Sequence, residues 1–376
     1  MATKVLLTLL ITLLGLGWTE EPTGEEQSIT QFLTQLYQAR HEVLLQENKD
    51  QLSAYYVISN EAGRMTLEHE LRRSQYIRVW AEKRSIQLTK SQGKITIERI
   101  RQNGSLARVQ LVQSVKLSYT YPLHPQIPAQ SFGIGTRHRL ILQRMNGQWR
   151  LLQDDYLDPL YVNPDLIPAE GVPGFPSQPT VQNPSEPLSP PRSSSATTYR
   201  EKAVAYANRY AGAAWGAGNE GQYNRKYQDY TDAGGDCTNF ISQVWGDAAE
   251  GGRLPTTDQW HYEPGKGGSS AWIYTDLFKK FLITSRHGKL IAQGTFREVV
   301  QSTSEHPEGA IARLQPGDLI AYAFNNDVDH FAVVVGRDQN GYPLVNSHTS
   351  DRYHMPFDLG WTRRTHYLLF HIQEKP

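Results

Sequence analysis

Residues 165–198 contain the run PAEGVPGFPSQPTVQNPSEPLSPPRSSSATT, in which proline and serine dominate. Such a run has too little apolar surface to offset the entropy lost on ordering, so it reads as an extended, semi-rigid spacer. It divides the 376-residue chain into segments that must each bury a core of their own. The expected organisation is an N-terminal signal or anchor over 1–22, a first domain over 25–160, the linker at 165–198, and a second domain over 199–376.

The N-terminus carries Lys4, then an apolar run from Val5 to Trp18, then TEEPTGEE. A short basic region, an apolar core and a polar stop is the pattern of an export signal. The run is shorter than the roughly 20 residues of a spanning helix. Without a clear small-residue cleavage site, either a signal peptide or an uncleaved anchor fits, and the protein is expected to be secreted or associated with the cell envelope. Lysine plus arginine equals aspartate plus glutamate, 38 against 38, so charge gives no case for a nucleic-acid partner. A single cysteine excludes an intrachain disulfide, and both domains must be held by core burial.

In the first segment Ile29, Phe32, Leu33, Leu36 and Tyr37 recur at helical spacing, and a long charged stretch follows from Met65 to Lys83. The period then shortens to that of strands in KITIERI, LARVQLVQSVKLSYTY and HRLILQRMNGQWRLLQDDYLDP, with hairpin turns at Asn103-Gly104 and Asn146-Gly147. Helices followed by a curved antiparallel sheet make an α+β domain. Its layout resembles the NTF2-like domains, with no catalytic constellation and no identified partner. The second segment repeats the class. It opens with the helical REKAVAYANRYAGAAW and closes with strand signals at DLIAYAF, HFAVVVG, YPLVNSH and THYLLFHI.

The sole cysteine stands in AGGDCTNFISQVWGDAAEGG. From Cys237 the residues Phe240, Ile241, Val244, Trp245, Ala248 and Ala249 form one helical stripe, and Gly251-Gly252 supplies a stop. Asp236 has the chemistry of an N-cap, which puts the sulfur in the first helical turn. There the helix dipole favours thiolate, and free N–H groups can hold an oxyanion. The two preceding glycines are expected to leave the sulfur accessible. A thiol nucleophile needs a base from elsewhere in the chain. His330 opens an apolar strand after a polar turn, and Asn346 and His348 alternate on the next one. NNDVD before His330 has oxygen ligands but not the spacing of a calcium loop, and reads as a turn. No metal or other cofactor is expected.

Residues 199–376 resemble the amidase domain of secreted bacterial proteins, a papain-like cysteine hydrolase branch near NlpC/P60 and CHAP. The resemblance rests on YREKAVAYANRYA, YNRKYQDYTDAGGDCTNFISQ, the tryptophan-rich DQWHYE and SSAWIYTDL, LQPGDLIAY, DVDHFAVVVG and VNSHTSDR. It implies a papain-like fold, with Cys237 as nucleophile, His330 as base, and Asn346 or His348 as the third member. The family's glutamine before the cysteine is missing, since DYTDAG stands there. The oxyanion site is therefore expected to use backbone N–H groups, with Asp236, Tyr223 and Tyr227 as auxiliary residues. Trp260 and Trp272 are candidates for a substrate groove. The implied activity is hydrolysis of an amide through a thioester, on peptide or peptidoglycan-peptide substrates. An inactive binding module and an acyltransferase of the same fold are the alternatives.

Overall fold

The computed structural model describes residues 24–46, 49–160, 163–169 and 198–374. The signal or anchor and most of the proline-rich linker lie outside these residues. The first segment forms helices α1 (Gly24–Leu45), α2 (Lys49–Ser53) and α3 (Glu61–Lys83). Strands β1 (Gln87–Asn103), β2 (Leu106–Thr120), β3 (Gln130–Met145) and β4 (Gln148–Asp155) follow. The second segment begins with α4 (Tyr199–Arg209) and α5 (Cys237–Gly246), then a small ribbon of β5 (Tyr262–Glu263) and β6 (Gly267–Gly268). Helices α6 (Ser270–Ile273) and α7 (Thr275–Thr284), strand β7 (Gly288–Thr295) and helix α8 (Phe296–Val300) come next. The chain closes with β8 (Leu319–Phe324), β9 (Asp327–Arg337), β10 (Pro343–Ser347), β11 (Asp351–Pro356) and β12 (His366–Ile372). The class is α+β, with helices leading and antiparallel strands following in each segment.

The local chemistry explains most of these elements. In α1 the residues Ile29, Leu33, Leu36 and Tyr37 are buried, as their helical spacing requires. Helix α4 is started by a capping box in which Thr198 and Glu201 each bond the other's backbone N–H. At the β3–β4 hairpin, Met145 pairs with Gln148 across Asn146-Gly147, whose φ values of 51° and 81° are those of a type I′ turn.

The two segments share one antiparallel sheet of ten strands, in the order β1-β2-β3-β11-β10-β9-β8-β12-β7 with β4 beside β3. Strand β3 makes the join. Its residues Arg139–Met145 pair with β4, and further along the same edge Gly133–Gly135 pair with β11 of the second segment. An edge left open in the first segment is thereby closed by the second. The glycines permit it, because a Cβ on Gly133 would stand 2.0 Å from the Trp215 carbonyl oxygen. Buried polar contacts reinforce the seam. Asp338 accepts from the hydroxyls of Tyr119 (2.8 Å) and Tyr121 (2.6 Å), and Arg84 pairs with Asp358 at 2.7 Å.

In the second segment the sheet is covered on both faces. Phe331 and Val333 of β9 pack with Phe240 and Val244 of α5 on one side. Ala332 and Val334 of the same strand pack on the other side with Tyr322, Phe357 and Trp361.

Candidate active site

Helix α5 begins at Cys237, so the thiol stands in its first turn. Gly234 and Gly235 bring the chain into it with φ of 109° and 123°, backbone that L side chains rarely adopt. The stripe Phe240, Ile241, Val244 and Trp245 is buried, while the helix ends at Gly246 and leaves Ala248 and Ala249 exposed in the turn beyond.

The surroundings of the sulfur differ from those expected. Cys237 is only 6% exposed. Burial pushes its pKa up, the Phe331 backbone N–H and the Thr238 hydroxyl pull it down, and the Asp236 charge pushes it up again, leaving it raised. Desolvation outweighs what the helix end offers an anion, so the resting group is the thiol.

Asp236 does not cap the helix with its side chain. Its Oδ1 accepts from the Tyr230 N–H (2.9 Å) and from Asn239 Nδ2 (2.8 Å), and its own N–H donates to Thr349 Oγ1 at 2.8 Å. Its Oδ2 lies 2.6 Å from His348 Nδ1. The other ring nitrogen, Nε2, lies 2.6 Å from the Tyr210 carbonyl oxygen. Both neighbours are acceptors, so making the two bonds together requires an N–H at each nitrogen. The ring is clamped between Tyr223 and Phe240, with centroids 3.8 and 3.9 Å away and planes within 9° and 19° of parallel. Asp236 and His348 are 0% exposed.

His330 is on the other face of the sheet. Opposite Tyr322 in the β8–β9 pairing, its ring packs 5.5 Å from that of Trp361 and 5.9 Å from that of Tyr322. Burial, aided by the Arg352 charge, holds its pKa well below the ordinary histidine value. Its Nε2 is buried and has no hydrogen-bond partner among the described residues. Because Phe331, Val333 and Val335 pack toward α5, alternation turns the preceding residue away. The structure thus does not bring His330 to Cys237.

Asn346 is also committed elsewhere. Its Nδ2 donates to the Ala207 carbonyl oxygen (3.1 Å) and Asn208 Oδ1 (3.0 Å), and its Oδ1 accepts from the His354 N–H at 2.7 Å. The hydroxyls expected to assist an oxyanion are taken by carboxylates, Tyr223 by Asp351 and Tyr227 by Asp247. Trp260 and Trp272 are each 1% exposed and line no open groove. They hold the core around α5, the first through a bond to Ser242 Oγ and the second through one to Asn239 Oδ1. The asparagines before His330 form the two-residue turn between β8 and β9, with φ of 50° and 68° at Asn325 and Asn326. Among the described residues, no group of three or more His, Cys, Asp or Glu side chains is placed to hold a metal ion.

The feature missed by sequence reasoning is the Asp236–His348 bond. Both residues are singled out separately by the sequence, Asp236 as a cap and His348 as part of a strand, but β10 ends at Ser347 and the pairing depends on the loop after it returning to the start of α5. A denser polar group in the first segment also went unseen. Arg40 bonds Asp154 at 2.7 Å, His138 bonds the same carboxylate at 3.0 Å, and Arg73 pairs with Asp158 at 3.1 Å, all buried.

A family model described as "Putative amidase domain" matches residues 197–370. The uncharacterized protein YhbB of Bacillus subtilis (strain 168) is 30% identical over 158 residues, covering 40% of this chain and 46% of that protein's own length. The chain thus spans about half of that relative. Similar solved structures include the intermembrane space region of the chloroplast protein ARC6, at 12% identity and a TM-score of 0.25, covering 35% of this chain and 95% of that one. Another is Aln2 from a Streptomyces species, at 14% identity and a TM-score of 0.25, covering 36% and 93%. Residues 197–370 form an amidase-like domain.

Proposed function

We propose that the second domain hydrolyses amide bonds, with Cys237 as nucleophile and His348, oriented by Asp236, as the proton carrier. The observation supporting this reading is the Asp236–His348 bond at the start of the helix that Cys237 heads. A carboxylate on Nδ1 fixes the ring and its tautomer and leaves Nε2 for proton transfer. In the resting state that nitrogen is bonded to the Tyr210 carbonyl. The cycle therefore begins with Nε2 losing its proton to water and exchanging Tyr210 for the thiol.

The thiol proton then passes to Nε2 as sulfur attacks the amide carbon. The tetrahedral oxyanion is held by backbone N–H groups of the first turn of α5. Collapse breaks the C–N bond, the amine leaves with the Nε2 proton, and a thioester remains. Water then attacks it, gives a proton to Nε2, and frees the acid and the thiol. Peptides and cell-wall peptides are the substrates we favour, outside the membrane, given the apolar run before residue 20 and the resemblance of the second segment.

The test is amine release from peptide amides and cross-linked wall peptides. His348→Asn is expected to lower kcat on the order of 10²–10⁴-fold. His330→Asn should stay within about tenfold of the parent. The opposite ranking refutes the assignment.

A second reading, a binding module without catalysis, is favoured by the burial and raised pKa of Cys237. Iodoacetamide at about pH 6 separates the two. Substrate-stimulated labelling of Cys237 supports the hydrolase, and labelling no faster than that of free cysteine under all conditions supports the module.

A further inference from the structure

On the sheet face turned away from Cys237, four polar side chains are buried with unused bonding capacity. Arg352 of β11 is 3% exposed. Among the described residues its Nε has no hydrogen-bond partner, and its Nη1 reaches the Leu359 carbonyl oxygen at 3.5 Å. Among the described residues no carboxylate forms an ion pair with it. Its guanidinium lies over the Trp361 ring, 5.0 Å from the centroid. Among the described residues the indole Nε1, His330 Nε2 and the Tyr367 hydroxyl are likewise buried without a hydrogen-bond partner. These groups are neighbours. The Trp361 ring stacks on Tyr322 at 4.0 Å and lies 5.5 Å from His330, and the Tyr322 and Tyr367 rings are 5.5 Å apart.

All four residues can donate, and two of them, arginine and tryptophan, cannot accept. Water satisfies an orphaned N–H but leaves the charge uncompensated. Arginine cannot escape by losing its proton, and an unpaired buried cation is strongly unfavourable. The missing component is therefore a negative charge with acceptor atoms. The slight exposure of His330 (7%) and Trp361 (9%), against 0% for Tyr367, marks the side of entry and limits the occupant to something small.

We propose that Arg352, His330, Trp361 and Tyr367 form a binding site for a small carboxylate anion. It is separate from the Cys237 site and independent of the function assigned there. His330 then acts as a ligand-binding residue on its own face of the sheet.

The test uses the full chain exchanged into buffer whose only anions are bulky sulfonates. Formate and acetate should raise the thermal midpoint saturably, beyond an ionic-strength control. A dipeptide with a free C-terminus, compared with its amide, shows whether a chain-end carboxylate enters as well. Arg352→Met should abolish the saturable shift. If that variant does not fold, Trp361→Phe, which keeps the ring and removes the N–H, should weaken binding about tenfold. No saturable response to formate or acetate, unchanged affinity in Trp361→Phe, or a response to the dipeptide alone overturns the proposal.

Discussion

Asp358 offers a sharp test of how the two segments are joined. It is 1% exposed, in the loop between β11 and β12. It accepts from Arg84 Nε at 2.9 Å, Trp80 Nε1 at 3.0 Å and the Tyr342 hydroxyl at 2.6 Å, and it forms an ion pair with Arg84, whose Nη2 lies 2.7 Å away. Arg84 and Trp80 come from α3 and its end, so a carboxylate of the second segment neutralises a cation of the first. Burial alone would lower the Arg84 pKa, and Asp358 more than reverses it. Asp358→Asn keeps the size but only one acceptor oxygen, so it serves either the Tyr342 hydroxyl on Oδ1 or Trp80 on Oδ2, and it strands the arginine charge. Breaking one side of a buried pair costs about 3–5 kcal/mol. At roughly 2 °C per kcal/mol for a chain of this size, the midpoint should fall by roughly 6–10 °C. Urea unfolding followed by tryptophan fluorescence supplies the free energy. The control is the pair Arg84→Met with Asp358→Asn, which should lose much less than the sum of the singles because no unpaired charge remains. A single variant within about 1 kcal/mol of the parent refutes the argument, as does a double variant that is simply additive.

The other expectations concern packing and pH. His41 is buried, and desolvation, then Arg73 and Arg40, hold its pKa down at about 3. The unfolded chain takes up this proton near pH 6.5, so stability is intact above that value and declines as pH falls toward 3. Between pH 7 and 5 the parent should lose about 2 kcal/mol more than His41→Gln, read from urea midpoints; equal losses dismiss the effect. Gly93 lies against the same ring, with a Cβ placed 1.8 Å from His41 Nε2. Gly93→Ala should cost about 1–3 kcal/mol by overpacking, and combining it with His41→Ala should recover most of that. Gly133→Ala, whose new methyl meets backbone of the second segment, should likewise destabilise by about 1–3 kcal/mol in urea. An unchanged midpoint there would deny the close approach of the Trp215 backbone to β3.

Much of the architecture was legible because its signals are local. Helical spacing in α1, the asparagine-glycine turn after β3, and the apolar runs of β8, β9 and β12 each report on a few adjacent residues. Strand β7, reading GKLIAQGT, has too little alternation to stand out, and β11 carries Arg352 and His354 where a strand pattern would show apolar residues. The continuous sheet was not legible at all. It depends on a three-residue pairing, Gly133–Gly135 with residues 351–353, between stretches about two hundred residues apart, and nothing in either stretch names its partner.

The face of His330 was hidden for a more general reason. When one side of a sheet faces water, polar and apolar residues alternate and the pattern assigns every side chain to a face. Strand β9 is covered on both sides, so HFAVVVG is apolar throughout and either assignment of its faces fits the sequence. The choice is made by what packs on each side. Phe331 and Val333 meet α5, which commits the histidine to the tryptophan and tyrosine opposite. Moving that ring to Cys237 requires the strand to slip by one residue. The slip would carry Phe331 and Val333 off the helix and take Tyr322 out of register with position 330. Local side-chain motion therefore cannot bring His330 to the thiol.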